Sequence, residues 1–402
     1  QAVLVALSTG SMVLISNSIG AGNRERVNSI AWHAVYLSVA AGAVLSLGSL
    51  FSGQLLGLFF PSSDAFMQSN GSQYLGTIMA GFPAMSIMIV LGATLRGSGD
   101  TRSPMIVAAV ANVLNVFLDY AMIYGEFGFP EMGAFGAALA TVVSRIVGSG
   151  IIIFLLFRNR KISMNRRPAR LSRWMIREIF SIGLPTSIEN LGFSTGVLVF
   201  ANILFIAGPQ AYAAHRIGIQ VESLSFMPAW GMGVAITAMV GIYNGANERR
   251  KAVGSVKQGW LIALLISSII GTTITIFPDL FISIFTNETS IVEAGRLPVR
   301  IIGLFQVVMG TDYAVTGALR GMGDTSFPMK SSLAAMWFVR LPVGFLLVKY
   351  FNMGLLGAWI GMMSDMAFRT FLKFRRFYSG KWEKTADAIQ SRSKNSIDNE
   401  SN

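Results

Sequence analysis

An aspartate lies deep within an apolar stretch of this chain, where a charged group is energetically unfavourable. Asp119 belongs to a run of about 20 mostly apolar residues that extends from Met105 to Tyr124. Ionisable residues in such segments are candidates for a function. Asn115 precedes Asp119 by four residues, so the two side chains share one face of a helix. A carboxylate beside an amide oxygen offers hard oxygen ligands to Na⁺, and the same carboxylate, removed from water, could carry a proton instead.

Further charged residues that could take part in coupling or substrate binding fall within apolar stretches. Arg145 could be a counter-charge for the aspartate, or a residue that snorkels or braces backbone carbonyls. Asp312 is a possible second coupling group. Glu189 and Glu222 could meet a cationic substrate, although Glu189 follows Pro185 by one turn, where the first turn of a helix favours an acid.

The chain also carries a long internal repeat. The segment LRGSGDT at Leu95–Thr101 returns 224 residues later as LRGMGDT at Leu319–Thr325. Asn23 in GAGNRER and Asn247 in NGANERR keep the same spacing. Solenoid repeats are much shorter than this period. The repeat therefore indicates a duplicated domain, which in an apolar chain is typical of secondary transporters.

The two repeated loops are expected to act as hinge or packing devices. Their glycines permit a tight reversal, their aspartates cap the next helix, and their arginines are cytoplasmic anchors. No strand precedes their Gly-x-Gly spacing, so we reject nucleotide binding. Pro228 is expected to bend its helix during transport. The loop residues concerned are Arg96, Gly97, Asp100, Arg320, Gly321 and Asp324.

Composition indicates a polytopic α-helical membrane protein that lies in a lipid bilayer. Hydrophobic residues make up 52% of the chain and charged residues 13%, against about 25% charged residues in soluble domains. The absence of Cys and the presence of only two His exclude disulfides and thiol catalysis and argue against a zinc site. No nucleophile–base set is assembled, so we do not expect an enzyme. The net charge of +12 fits basic cytoplasmic loops better than nucleic-acid binding.

Eleven apolar segments are long enough to cross a bilayer. Basic connections alternate with connections poor in Lys and Arg, so the positive-inside rule places the basic set and the C-terminus in the cytoplasm. The second half has one helix without a counterpart in the first, which predicts a missing first helix and two six-helix lobes related by an axis along the membrane normal. The expected spans are about 1–20, 29–52, 71–95, 104–125, 133–157, 178–206, 217–243, 255–278, 297–318, 328–350 and 354–374. The expected domains are an N-terminal lobe at 1–157, a cytoplasmic linker at 158–177, a C-terminal lobe at 178–378 and a disordered polar tail at 379–402.

Together these motifs resemble the multidrug and toxic compound extrusion (MATE) family. Besides the paired loops, the stretch from Asn115 to Tyr120 and the GAALAT segment that ends at Thr141 are similar to that family's fifth and sixth helices. Over residues 1–378, the resemblance implies alternating-access export of organic cations and amphipathic drugs, driven by Na⁺ or H⁺. We expect a multi-pass monomer in the inner membrane, with small molecules as partners and no cofactor besides the coupling ion.

The resemblance also implies a cation site formed by Asn115, Asp119 and Thr141, which would ligate Na⁺ if Na⁺ is the coupling ion. The family's remaining acidic ligand lies in the first helix, so the site would be incomplete in this chain. The alternative is that Asp119 only caps or braces helices. Val339 and Val343 stand at the equivalent positions of the second half. A residue pair that only held the shared architecture would be expected in both halves, so its absence from the second half favours a functional role for Asn115 and Asp119.

A flippase for lipid-linked oligosaccharides is the alternative function. It predicts a strongly cationic central cavity that holds pyrophosphate, and Arg145 and Arg340 are few for that purpose. Arg340 and Asp365 are expected to pair across adjacent helices in a structural role.

Overall fold

The computed structural model describes residues 2–61, 64–165 and 167–399, and those residues form helices and no strand. The expected all-α fold is therefore confirmed. Residue 1 of the first expected span and residues 400–402 of the tail lie outside the described residues. The helices are α1 (Ala2–Gly20), α2 (Arg24–Ser46), α3 (Ser52–Phe59), α4 (Ala65–Ala80), α5 (Phe82–Gly97), α6 (Arg102–Tyr124), α7 (Gly133–Arg158), α8 (Arg173–Ile206), α9 (Pro209–Gly245), α10 (Arg249–Ile276), α11 (Pro278–Ser283), α12 (Thr289–Gly321), α13 (Ser326–Ala335), α14 (Leu341–Lys349), α15 (Gly354–Tyr378) and α16 (Glu383–Asn399).

Many of these helices are long and apolar enough to cross a bilayer. Within the described ranges there are eight such helices, if Arg24–Phe59, which includes α2 and α3, and Ser326–Lys349, which includes α13 and α14, each count as one. The helices α4 and α5, which are bent by 44° relative to each other, together make a ninth. The expected spans at 297–318 and 354–374 correspond to α12 and α15, which are long but hold charged residues in their interiors. For these two helices, the membrane crossing stays a prediction.

The chain divides into two compact units, Val3–Gly183 and Leu184–Asn402, with Ala2 assigned to the second. The boundary falls inside α8, which runs without a break from Arg173 through Pro185. The linker and the beginning of α8 therefore belong to the first unit, and the second unit begins a little later than the expected 178.

In the first unit, α2 packs against α5, and α6 packs against α7. Arg26 of α2 forms an ion pair of 2.7 Å with Glu178 of α8, and the two side chains are 1% and 3% exposed. Removal of one partner of such a buried pair strongly destabilises the folded protein. The linker that precedes α8 is held against α2 by hydrogen bonds that involve the side chains of Asn28, Trp32, His33 and Tyr36.

In the second unit, α12 is the central helix and packs against α9, α10 and α15. Close approach is possible because glycines line these contacts. A β-carbon added to Gly317 would stand 2.2 Å from the carbonyl oxygen of Gly233, so α9 and α12 touch backbone to backbone. Small residues of this kind allow close helix packing in membranes.

The glycines of the repeated loops have two different tasks. Gly99 and Gly323 both have φ of 82°, a left-handed conformation that other residues rarely adopt, so they make the reversal. Gly97 and Gly321 instead end a helix against a neighbour. A β-carbon on either one would stand 2.6 Å from a backbone carbonyl oxygen of another helix. The expectation of a reversal was therefore correct for only one glycine of each pair.

The loop aspartates cap the helices that follow them. Asp100 accepts a hydrogen bond of 3.0 Å from the backbone N–H of Ser103, and Asp324 accepts one of 3.3 Å from that of Phe327. Each bond satisfies an amide of the first helical turn, which has no partner within the helix. Asp324 also accepts a hydrogen bond of 2.9 Å from Arg376.

The tail was expected to be disordered, but most of it forms α16. Three apolar residues at spacings of four and three, Trp382, Ala386 and Ile389, are 5%, 0% and 4% exposed. Trp382 and Ala386 join a core that is formed by one end each of α9, α10 and α12. The positive-inside rule places these ends in the cytoplasm. Arg249 adds ion pairs to Asp387 and Glu383. A polar composition concealed one apolar face, which is enough to hold a helix against a folded unit.

Candidate functional site

The candidate coupling group lies on α6, which is buried on one side only. Leu118 and Met122 pack against Ala140 of α7, whereas Val113 and Val116 are 72% and 68% exposed on the opposite side. Helical geometry places Asp119, next to Leu118, at the border between the buried and exposed faces.

Asp119 and Asn115 are both half-buried. Oδ1 of Asp119 and Nδ2 of Asn115 are each buried without a hydrogen-bond partner among the described residues. Buried polar atoms are nearly always paired, so an unpaired carboxylate oxygen is a candidate for a proton or a cation. Thr141, the third predicted ligand, donates its hydroxyl to the carbonyl oxygen of Ala137 at 3.0 Å, which leaves its lone pairs free to accept or ligate.

Arg145 does not act as a counter-charge for Asp119 in this conformation. Its guanidinium points to the sulfur of Met88 at 3.8 Å, and none of the ion pairs in the described ranges joins it to the aspartate. The physical reason is that Arg145 lies one helical turn beyond Thr141 on α7 and reaches toward α5, where Met88 lies. Among the described residues, the carboxylate of Asp119 therefore has no basic partner.

Glu189 lies in the middle of α8, because that helix begins at Arg173 rather than near Pro185. The expected first-turn position was therefore wrong. Its carboxylate forms an ion pair of 2.8 Å with Arg320, the arginine of the second repeated loop. The side chain of Arg320 points toward the smaller cavity of the second unit and neutralises Glu189, and its expected role as a cytoplasmic anchor stays a prediction.

Asp312 of α12 is held even more firmly. Its Oδ1 and Oδ2 accept hydrogen bonds of 2.9 and 3.2 Å from Nζ of Lys373, and the Nε of Arg369 lies 3.6 Å from Oδ2. The side chains of Asp312 and Lys373 are 6% and 2% exposed. An ion that binds Asp312 would have to displace this lysine, which makes the residue a poor coupling group as the structure stands.

The predicted pair of Arg340 and Asp365 is present. The two side chains meet at 2.7 Å and are 6% and 0% exposed. Arg340 ends a π-helical turn, Met336–Arg340, between α13 and α14. Turns of this kind are frequent at functional sites. The guanidinium also lies 5.2 Å from the ring of Phe193 and 5.7 Å from that of Phe200.

Two basic residues of this network were missed in the sequence. Arg369 and Lys373 follow Asp365 at steps of four residues, so all three lie on one face of α15. That spacing could have predicted the network from the sequence, since charged residues on one face of an apolar helix indicate that this face contacts other polar groups in the protein interior.

Two of the cavities in the second unit share part of their lining. The larger has a volume of about 350 Å³ and is bordered by Glu222, Arg340 and Arg369, with Met and Phe side chains as its walls. The smaller, of about 290 Å³, is bordered by Glu189, Asp312 and Arg320. Phe193, Phe226, Tyr313 and Arg369 border both.

Pro228 lies inside α9, which continues as a helix on both sides of it from Pro209 to Gly245. A proline in this position removes the hydrogen bond to the carbonyl four residues earlier. A change of bend during transport stays a prediction.

Comparison with known proteins accounts for this architecture. The family model MatE matches residues 1–121 and 185–346. A Thermotoga maritima protein named probable multidrug resistance protein NorM is 50% identical over 395 residues, which cover 98% of this chain and 85% of that protein. A Bacillus subtilis protein named probable multidrug resistance protein YoeA is 26% identical, over 94% of this chain and 82% of its own length.

Solved structures agree in fold. The crystal structure of MATE in the bent conformation superposes with a TM-score of 0.86 at 23% identity and covers 98% of this chain and 85% of that chain. The crystal structure of the eukaryotic MATE transporter AtDTX14 gives a TM-score of 0.81 at 18% identity, over 98% of this chain and 87% of that chain. The chain therefore belongs to the MATE family of membrane transporters.

Proposed function

We propose that this protein is a multidrug efflux transporter of the inner membrane, and that it works as a cation-coupled antiporter. Relatives named multidrug resistance proteins support export of small molecules. We further propose that organic cations and amphipathic drugs are the substrates, that Na⁺ or H⁺ is the coupling ion, and that the protein works as a monomer with a cytoplasmic C-terminus.

One observation carries the coupling proposal: the carboxylate of Asp119 has a buried oxygen without a hydrogen-bond partner among the described residues. Asp119 lies on α6, at the border between the buried and exposed faces of that helix, four residues from Asn115. Proton or Na⁺ uptake would neutralise the carboxylate at low energetic cost, because no basic side chain in the described part of the chain has to be displaced. Thr141 supplies a hydroxyl on the neighbouring helix.

Coupling requires that the ion bind one conformation better than the other. A ligand shifts a conformational equilibrium only by its differential affinity for the two states. We infer that ion uptake at Asp119 from the outside favours the state that releases substrate, and that ion release to the inside resets the transporter for the next molecule.

The test is gradient-driven efflux of a fluorescent organic cation from proteoliposomes that contain the full chain. Na⁺ and pH gradients are imposed separately, which identifies the coupling ion. Asp119→Asn keeps the shape of the side chain but removes its exchangeable charge. We expect this variant to lose gradient-driven efflux and to keep binding of the fluorescent cation.

Glu126→Gln is the matched control, because it also removes one acid next to α6 but at an exposed position after the helix. It should transport like the unchanged protein. Undiminished efflux by Asp119→Asn under both gradients would refute the assignment of the coupling site.

A flippase for lipid-linked oligosaccharides is the second candidate, because the structure brings more bases together than the sequence suggested. Arg216, Arg320, Arg340, Arg369 and Lys373 all border the two cavities of the second unit. However, three of them are already neutralised by acids within about 3 Å. Few positive charges then remain for a pyrophosphate, and we favour drug export.

A further inference from the structure

The second unit holds a mostly buried basic side chain, Arg369, which makes almost no use of its hydrogen-bonding capacity among the described residues. Arg369 borders both cavities. Its nearest acidic oxygen belongs to Asp312, at 3.6 Å, which is beyond a good hydrogen bond. That acid already accepts two bonds from Lys373. The Nε of Arg369 is buried without a hydrogen-bond partner in the described part of the chain.

Arg216 also borders the larger cavity but is exposed, and the remaining bases that border the two cavities are paired with acids. Arg320 lies 2.8 Å from Glu189, and Arg340 lies 2.7 Å from Asp365. Arg369 is the exception, and its side chain is only 12% exposed. A guanidinium has five N–H donors in a planar fork and stays protonated, so one that is shielded from water needs an acceptor. The fork matches a carboxylate, which can accept two parallel hydrogen bonds.

The surroundings of Arg369 suit the rest of such a ligand. Its guanidinium lies 5.7 Å from the ring centroid of Phe193, which leaves room for stacking. Met309, Met362 and Met366 border the larger cavity beside it, and Met side chains adapt to irregular apolar shapes. The volume of about 350 Å³ is at the small end of ligand pockets and is too small for a lipid with two acyl chains.

We propose that this cavity binds a small aromatic amphipath through a carboxylate of the ligand, and that Arg369 is the residue that recognises the carboxylate. Glu222 borders the same cavity, and no ion pair within 4 Å engages it in the described ranges. A basic group on the ligand therefore has a partner as well, so the ligand can be a zwitterion. The inference rests on the proposed export function for its biological meaning, but the site itself is independent of Asp119.

The experiment measures equilibrium binding to the purified full-length protein in detergent, without any ion gradient. The probes are dansylglycine and dansylglycine amide, which share the aromatic body and differ in the carboxylate. We expect the acid to bind the unchanged protein roughly 10- to 100-fold more tightly than the amide, as for hydrogen bonds to a charged group. Arg369→Gln should abolish this preference, and Arg369→Lys should keep part of it.

Arg250→Gln is the matched control, since Arg250 is an exposed base outside both cavities. It should leave the preference for the acid unchanged. Equal binding of acid and amide to the unchanged protein would overturn the proposal without any variant. A preference that survives in Arg369→Gln, with a melting temperature like that of the unchanged protein, would also overturn it. Neither result would affect the coupling role of Asp119, which is measured separately in the efflux assay.

Discussion

Asp365→Asn is expected to destabilise the second unit strongly. The change keeps the shape of the side chain but leaves the guanidinium of Arg340, whose side chain is 6% exposed, without its ionic partner at 2.7 Å. Removal of one member of a buried pair costs about 3–5 kcal/mol. The rings of Phe193 and Phe200 lie within 6 Å of the guanidinium and remain after the change. Because they keep part of its stabilisation, we expect the lower end of that range, about 3 kcal/mol.

The assay is thermal unfolding of the purified protein in detergent. For a unit of about 200 residues, this loss corresponds to a fall in melting temperature of roughly 6–12 °C. The double variant Arg340→Met with Asp365→Leu should recover most of the loss, because well-packed apolar groups replace a buried pair with little penalty.

Arg296 and Asp279 provide a matched control for this prediction. Their distance is also 2.7 Å, but the side chains are 46% and 50% exposed. Solvent screens such a pair, so Asp279→Asn should change the melting temperature little. If Asp365→Asn lowers the melting temperature no more than Asp279→Asn does, burial does not give the Arg340 pair its importance and the reasoning fails.

Two further predictions concern packing. Gly97→Ala and Gly321→Ala should each lower the melting temperature by the equivalent of about 1–3 kcal/mol, since the added β-carbon would stand 2.6 Å from a backbone oxygen. Gly231→Ala, where the β-carbon would meet nothing within 4 Å, should be neutral or slightly stabilising, and equal losses at all three positions would contradict the packing argument. Trp382→Ala should cost about 3–5 kcal/mol because this side chain is 5% exposed, and limited proteolysis should then cut α16 first; unchanged proteolysis would show that the helix does not depend on this anchor.

The features that depend on local pattern were predictable from the sequence. Apolar runs predicted the helices, and the repeated LRGxGDT segments predicted the duplicated caps that Asp100 and Asp324 provide. The pair of Arg340 and Asp365 could be anticipated because two opposite charges in apolar helices gain much by meeting. These predictions share one property: each depends on a strong local preference or on a single costly charge.

The features that depend on distant contacts could not be read in advance. Glu189 and Arg320 are 131 residues apart, and their meeting is decided by how the part of α8 after Gly183 packs within the second unit. The tail was misjudged because its average composition is polar, although Trp382, Ala386 and Ile389 mark one buried face. Composition averages over all faces of a helix, whereas burial is decided face by face.

The acids of the two units differ in a way that bears on mechanism. In the second unit, Glu189, Asp312 and Asp365 each lie within 3 Å of a base. In such a pair, uptake of a proton or Na⁺ by the acid leaves a shielded positive charge without compensation, which carries the penalty of breaking a buried pair. Asp119 has no such partner in the described ranges, so neutralising it removes an unfavourable charge and strands no other. Ion uptake therefore carries this penalty at the three paired acids and not at Asp119, which supports the proposal that the ion gradient acts on the first unit.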